Sequence, residues 1–239
     1  MEQEIERRID EFKKRLFTGR IRDRIVKLCL FGSVAKEGIL KKDSDVDLLI
    51  VVNDGQKARE EIMDLSFEFQ TEYGFPVEPI ICSIEDLFPI TDYFVYNCLN
   101  YGVEVYSMEK NKIKRESCKH LKGLAEEYLE GAANAREEGF FRLAVDAAYN
   151  AAELAMKGLI LLIEDDLPGS HGGIVGKFGE LYVKSGKFER AIGRQLNQSL
   201  ELRNQARYKF SARIGKEEAD STIKIASFMI GQLALSIKE

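Results

Sequence analysis

Strand-forming patterns are confined to the first half of this chain, and that division limits the folds it can adopt. Four short runs rich in valine and isoleucine lie at 25–31, 46–52, 77–83 and 103–107. A helical pattern at 55–74 separates two of them, and strands that alternate with helices favour an α/β layer. Because Pro76 and Pro79 flank Glu78, the third strand is predicted to be short or to lie at a sheet edge.

The second half carries only helical patterns. Residues 107–117 form a polar stretch that is interpreted as a linker between two domains. Helical patterns follow at 120–139, 142–164, 174–184, 187–212 and 216–237. We therefore predict an α/β (α+β) domain with a small mixed sheet over 1–110, followed by an all-α antiparallel helical bundle over 111–239.

Composition argues against several classes of protein. A net charge of −5 and a pI of about 5.4 do not suit a cationic protein that binds nucleic acid without sequence preference, although they leave room for a local basic pocket. No apolar run approaches the ~20 residues that span a bilayer, and the charged N-terminus shows no signal peptide. We expect a cytoplasmic protein with no membrane partner. The four cysteines form no CxxC pair, which predicts reduced thiols and no zinc site.

Residues 30–52, LFGSVAKEGILKKDSDVDLLIVV, carry the side chains most suited to chemistry. Asp45 and Asp47 are two apart on a predicted strand, so both carboxylates project from one face and repel each other without a cation. Carboxylate oxygens are ligands that Mg²⁺ prefers, often together with substrate phosphates. Upstream, Gly32 and Ser33 end a strand, where backbone amides and a hydroxyl can donate to a phosphate.

These parts together predict a nucleoside triphosphate held at the end of a strand, with metal bound by the two aspartates. Lys36, Lys41 and Lys42 add positive charge nearby, and Lys42 is a candidate nucleotide-binding residue. The alternative is a polar loop followed by an edge strand whose acids are solvated.

At these residues the sequence resembles the minimal nucleotidyltransferases of the DNA polymerase β superfamily. Their signature is Gly-Ser, a short spacer and Asp-x-Asp on a strand; here it stands as Gly32-Ser33, eleven residues, then Asp45-Val46-Asp47. The resemblance implies transfer of a nucleoside monophosphate, such as AMP from ATP, to a hydroxyl, with two Mg²⁺ ions and release of pyrophosphate. It also implies that the aspartates bind metal and that Gly32 and Ser33 hold the β- and γ-phosphates.

Many of these relatives carry a third carboxylate on a later strand. Glu78 is the acid that lies inside an apolar strand of this half, so the resemblance makes it a candidate third metal ligand or catalytic base. A partly exposed glutamate on an edge strand is the alternative.

The second half resembles the HEPN domain, a helical bundle often fused to minimal nucleotidyltransferases. The resemblance spans about 117–237 and depends on three segments, at 151–162, 170–178 and 184–208. It implies a fold of helices that commonly pair as a homodimer.

Many HEPN domains that cleave RNA carry Arg-Asn-x-x-x-His. This chain has Arg203 and Asn204, but Tyr208 stands in the place of the histidine, and a phenol with a pKa of about 10 is a poor general base at neutral pH. Arg203, Asn204, Arg207 and Tyr208 predict a site for a phosphate, a nucleotide or RNA. The alternative is that the arginines make salt bridges. His171 is interpreted as a helix cap or a packing residue rather than as a catalytic base.

The leading interpretation is an Mg²⁺-dependent nucleotidyltransferase whose acceptor is a protein, an RNA or a small molecule. The helical domain would bind the acceptor or a nucleotide. A second interpretation is a toxin–antitoxin-like module whose HEPN half binds or cleaves RNA, and a third is a non-catalytic nucleotide-binding protein.

Overall fold

A computed structural model describes residues 2–37, 45–53 and 55–238. The chain divides into two compact units, Met1–Ile113 and Lys114–Glu239. The first unit contains the sheet and the second consists of helices, so both predicted fold classes are confirmed. Within the part of the chain that the structure describes, no helix combines the length and the apolar character needed to cross a membrane.

The sheet of the first unit has four described strands, and each lies on the run that predicts it. They are β1 (Ile25–Leu30), β2 (Val46–Val52), β3 (Val77–Ser83) and β4 (Val103–Ser107). Their order is β3-β2-β1-β4. β1 runs antiparallel to β2 and β4, whereas β2 and β3 are parallel, so the sheet is mixed. β3 lies at an edge, where a proline such as Pro79 is tolerated.

Helices cover both faces of this sheet. They are α1 (Glu2–Thr18), α2 (Gly32–Glu37), α3 (Gly55–Tyr73) and α4 (Tyr93–Tyr101), with 3₁₀ turns at Arg22–Arg24 and Ile84–Leu87. Leu48 and Ile50 of β2 belong to a core that includes Phe12 of α1 and Phe69 of α3. Leu49 of β2 faces the other way and packs with α4. Because β2 is buried on both faces, its sequence is almost continuously apolar.

The helices after β4 are longer. They are α5 (Lys110–Glu137), α6 (Phe141–Ile163), α7 (His171–Phe178), α8 (Arg190–Tyr208) and α9 (Lys216–Lys238), with a π-helical turn at Gly179–Val183. α6 is buried along most of its length and contacts α7, α8 and α9. Gly158 of α6 lies against Leu233 of α9, because a Cβ atom at Gly158 would come within 2.8 Å of both Leu233 methyl carbons.

The interpretation of residues 107–117 as a linker is wrong, because helix α5 already begins at Lys110. The Glu109 carboxylate accepts hydrogen bonds from the amides of Asn111 and Lys112, which stabilises the first turn. Within that stretch, Ile113 is also buried, which a solvated linker would not require. The start of α5 was not recognised as helical because many residues of its first turns are polar and exposed to solvent.

The contact between Gly158 and Leu233 gives a test of the helical packing. We expect Gly158→Ala to lower the free energy of unfolding by about 1–3 kcal/mol relative to Gly231→Ala, because an added methyl overpacks the α6–α9 contact. A Cβ atom added at Gly231 of α9 would meet no neighbouring atom within 4 Å, so alanine there only improves helix propensity. Urea unfolding followed by helical circular dichroism measures both variants, and equal stabilities would contradict the close packing.

Candidate functional sites

The start of α2 and the start of β2 meet at Gly32 and Asp47. Gly32 has a φ of +73°, and a Cβ atom on it would lie 1.9 Å from Asp47 Oδ2. The Phe31 amide donates to the Asp47 carbonyl over 3.0 Å. Glycine is therefore required twice, for the left-handed backbone and for the close approach of the carboxylate. This contact brings the Gly32-Ser33 pair beside Asp47, and Ser33, the second residue of α2, is half-buried.

Three carboxylates lie on or beside the adjoining ends of β2 and β3. Asp47 and Glu78 are register partners in the parallel β2–β3 pair, so their side chains project from the same face. Asp45 lies one residue before β2 instead of within a strand, and it is exposed, as is Glu78. Asp45 and Glu78 both line a cavity of about 360 Å³ beside α3. Lys42, the candidate nucleotide-binding lysine, lies outside the described residues.

The electrostatics of this cluster disfavour an ionised Asp47. Its burial, followed by the charges of Glu78 and Asp45, raises the pKa of Asp47. Among the described residues no three metal-ligating side chains gather into a ready-made ion site. The carboxylate oxygens still suit a divalent cation, because such cations prefer hard oxygen ligands. A bound cation would also offset the negative charge of Asp47, which its burial disfavours.

Helix α4 adds an element to this region that the sequence patterns above did not predict. Asp92 caps it by accepting hydrogen bonds from the amides of Phe94 and Val95. Phe94 packs edge-to-face on Phe31, the residue before Gly32, with ring centroids 5.2 Å apart. Burial and then the charge of Asp47 raise the pKa of Cys98 in this helix, so α4 lies close to the carboxylates. The sequence signal that could have predicted α4 is Asp92, a favourable N-cap residue, followed by an apolar helical pattern.

In the second unit, the Arg-Asn-x-x-x-Tyr segment of α8 surrounds an aspartate that sequence reasoning missed. Asp146 of α6 lies 3.3 Å from Arg203 Nε and 3.2 Å from a terminal nitrogen of Arg207. Arg203 is 3% exposed, donates to Asn204 Oδ1 over 3.2 Å, and has its guanidinium 5.8 Å from the centre of the Tyr208 ring. All four predicted residues therefore come together, and both arginines make the salt bridges that formed the alternative interpretation.

The C-terminal end of α8 is held by Arg142 of α6. Its guanidinium donates to the carbonyl groups of Ala206, Lys209 and Ala212 over 2.7, 3.1 and 2.5 Å. The bond to Ala206 satisfies a carbonyl that the helix end leaves without a partner, and the other two hold the segment after the helix. The helix predicted to extend to residue 212 ends at Tyr208.

A second polar cluster lies further along α6. Glu153 is 5% exposed and contacts both Lys157 Nζ, at 3.0 Å, and His171 Nδ1. Burial opposes ionisation of Glu153, but its contacts with His171 and Lys157 prevail and lower its pKa. Ser170 caps α7 by accepting from the Gly173 amide, so His171 is not the cap. It is a packing residue, because its ring meets Tyr149 edge-to-face and its Nδ1 contacts Glu153.

Known families match both halves of the chain. Residues 7–123 match the family described as nucleotidyltransferase domain, and residues 119–234 match the HEPN domain. The chain belongs to the proteins in which a nucleotidyltransferase domain is followed by a HEPN domain.

Two curated relatives come from Methanocaldococcus jannaschii. The protein named "Putative toxin MJ0605" is 34% identical over 129 residues, which cover 54% of this chain and 95% of that protein. "Putative toxin MJ0142" is 28% identical over 96 residues, which cover 40% of this chain and 65% of that protein. Each relative thus matches only part of this chain.

The raised pKa of Asp47 predicts a gain in stability when its charge is removed. Because the pKa is raised in the folded state, ionised Asp47 destabilises the fold at neutral pH, and this penalty disappears as the pH falls through the folded-state pKa. We expect Asp47→Asn to raise the melting temperature at pH 7, because asparagine carries no charge to bury. Differential scanning calorimetry without added metal measures this effect; a variant that melts below the wild type would contradict the burial penalty at Asp47.

The buried Arg203–Asp146 pair predicts a large stability loss. Asp146→Asn removes the counter-charge of a buried guanidinium, and we expect the free energy of unfolding to fall by about 3–5 kcal/mol. Asp220→Asn is the matched control, because it breaks the solvent-exposed Arg136–Asp220 pair and should change little. Urea unfolding of both variants, followed by circular dichroism, tests this; equal losses would show that burial of Arg203 does not depend on Asp146.

Proposed function

We propose that the protein is a Mg²⁺-dependent nucleotidyltransferase that moves AMP from ATP onto an acceptor hydroxyl. The observation that carries this proposal is the contact between Gly32 and Asp47, which joins a phosphate-binding type of turn to a strand bearing carboxylates. Membership of the nucleotidyltransferase family supports the general reaction class.

Each residue of the site has a separate role in this reaction. The Gly32 backbone and the Ser33 hydroxyl donate to the β- and γ-phosphates, and Lys42 adds positive charge to the nucleotide. Asp45 and Asp47 hold Mg²⁺, and Glu78, beside Asp47 in the strand register, is the third ligand or the base for the acceptor hydroxyl. Bound metal would supply charge neutralisation at the α-phosphate and at the departing pyrophosphate.

The acceptor belongs to a protein, an RNA or a small molecule, and the cavity that Asp45 and Glu78 line beside α3 is the space that we propose for it. We propose that the helical domain binds the acceptor or a nucleotide, and that the protein acts as a cytoplasmic homodimer.

A second function is favoured by the helical unit. The names of both relatives are those of toxins, and Arg203 and Arg207 both contact Asp146, while Asn204 and Tyr208 contact Arg203. We propose that this half engages RNA, as part of a toxin–antitoxin-like module whose nucleotidyltransferase half modifies or restrains it. Tyr208 in place of the motif histidine means that any cleavage needs another base.

Label transfer from ATP tests the nucleotidyl reaction. With Mg²⁺ and ATP labelled at the α-phosphate, the wild type should transfer label to an acceptor in cell extract. Asp45→Asn and Asp47→Asn should each reduce transfer by about 10²–10³-fold or more, because the metal loses a charged ligand. The exposed Asp64 of α3 gives the matched control, Asp64→Asn, which should transfer label as the wild type does.

Transfer by both motif variants at the wild-type rate would overturn the assignment. Glu78→Gln separates the two roles of that residue: recovery of transfer at high Mg²⁺ or Mn²⁺ concentration indicates a ligand, and a loss that metal does not restore indicates a base.

A further inference from the structure

A cavity of about 430 Å³ lies between α8 and α9, and its lining includes none of the residues proposed to act on a nucleotide or on RNA. Its volume is in the range of pockets that bind small organic molecules. The lining positions recur every three or four residues along each helix, so α8 and α9 each present one face to the same space. The cavity is therefore a candidate binding site, and the chemistry of its lining defines the ligand.

Ser199 of α8 is the residue of this cavity that most clearly lacks a partner. It is 4% exposed and lines the cavity, and its hydroxyl makes no hydrogen bond within the described part of the chain. Other helical hydroxyls, such as those of Ser66, Thr222 and Ser236, donate to a carbonyl one turn earlier. A buried hydroxyl without a partner is unfavourable, so an acceptor on a ligand in the cavity would satisfy it.

The other polar groups of the cavity are also unengaged. Gln195 and Gln198 of α8 are exposed, and neither side-chain amide is hydrogen-bonded to a described residue. Lys224 of α9 is the charged residue of the lining, and no carboxylate among the described residues pairs with it. An ammonium group without a counter-charge favours an anionic ligand. Because it carries a single charge, it matches a monocarboxylate better than a di- or triphosphate.

An exposed aromatic ring lies beside this ammonium group. Phe228 follows Lys224 by four residues on α9, so the two side chains are neighbours on the helix surface. The Phe228 side chain is 40% exposed and meets Phe188 edge-to-face, with ring centroids 6.2 Å apart. Phe188 packs in turn on Phe178, with ring centroids 5.2 Å apart. A ligand ring on Phe228 would therefore extend an existing aromatic cluster.

We propose that the cavity between α8 and α9 binds a small aromatic monocarboxylate. The ligand ring packs on Phe228 and against the apolar walls that Leu202 and Ile225 form. The ligand carboxylate binds Lys224, and the Ser199 hydroxyl donates to an acceptor on the ligand. A carboxylate one or two bonds from the ring suits the four-residue spacing of the cation and the phenyl ring. This inference goes beyond the proposed function and depends on neither nucleotidyl transfer nor the engagement of RNA.

Titration of the full chain with benzoate, phenylacetate and indole-3-acetate tests the proposal. Ligand-observed saturation-transfer NMR detects weak binding, and isothermal titration calorimetry measures the affinity. We expect binding that raises the melting temperature, because a ligand bound only by the folded state stabilises it. Phenylacetamide, which lacks the charge, should bind about 10-fold or more weakly than phenylacetate. Cyclohexylacetate, which lacks the aromatic ring, should bind about 3-fold or more weakly.

Variants with matched controls connect this binding to the cavity. We expect Lys224→Gln to weaken phenylacetate binding by about 10–100-fold, because a hydrogen bond to a charged group is lost. Lys216→Gln is the control, since Lys216 is exposed at the start of the same helix and does not line the cavity. Phe228→Leu should remove the preference for phenylacetate over cyclohexylacetate.

Ser199→Ala separates ligand binding from folding. The substitution removes no hydrogen bond of the free protein, so the melting temperature without ligand should not fall, whereas affinity should drop by about 3–10-fold. Thr222→Ala is the comparison, because the Thr222 hydroxyl donates to the Glu218 carbonyl over 2.8 Å and its loss should lower the melting temperature.

Absence of binding by all three carboxylates would overturn the inference, as would binding that a folded Lys224→Gln variant retains in full. Binding of AMP without binding of the carboxylates would assign the cavity to another class of ligand. A dimer that Phe228→Asp dissociates, seen by light scattering, together with no carboxylate binding, would show that a second copy of the chain covers the cavity.

Discussion

The contact between the Asp47 carboxylate and the backbone of Gly32 is the tightest packing constraint in the first unit. A side chain at Gly32 would overlap Asp47 Oδ2, so the turn after β1 and the start of β2 can meet only at a glycine. The surrounding fold holds this contact in place, because β2 is packed on both faces and pairs with β1 and β3. A carboxylate whose ionisation burial disfavours is thus fixed against the backbone of Gly32, where the proposed metal would offset its charge.

Buried charge organises the second unit in a different way. Two carboxylates of α6, Asp146 and Glu153, contact Arg203 of α8 and His171 of α7, and each contact ties α6 to a neighbouring helix. Such pairs add little net stability compared with apolar packing, but a missing partner is costly. The packing of α7 and α8 on α6 is therefore specific, and the arginines that contact Asp146 are among the residues proposed to engage RNA.

Much of the first unit could be predicted from sequence because valine and isoleucine runs mark all four described strands. Helix α1 was not predicted, although Ile5, Ile9, Phe12 and Leu16 follow a helical spacing. The many charged residues between these positions hide the apolar pattern. The start of α5 was mistaken for a linker because its exposed turns are polar. The Gly-Ser and Asp-x-Asp motif could be recognised from the spacing of residues in one segment. The cavity beside α3 could not, because its lining comes from several separate segments.

The polar residues of the helical unit were the hardest to predict, because their partners are distant in sequence. Asp146 and Glu153 appear in the sequence as isolated acids in an apolar helix, and only the packing of α7 and α8 shows which side chains they contact there. The sequence did not identify Glu153 as the partner of His171, because that contact depends on the packing of α7 on α6. Local spacing identifies sites built from one segment and fails for sites built across helices.

Arg142 shows how far such dependence extends. Its guanidinium donates to the carbonyl groups of Ala206, in the last turn of α8, and of Lys209, just beyond that helix. The sequence of a short motif on α8 is thus insufficient to define its geometry, which also depends on a residue about sixty positions earlier. A substitution of Arg142 would therefore alter this helix end without changing any residue of the motif.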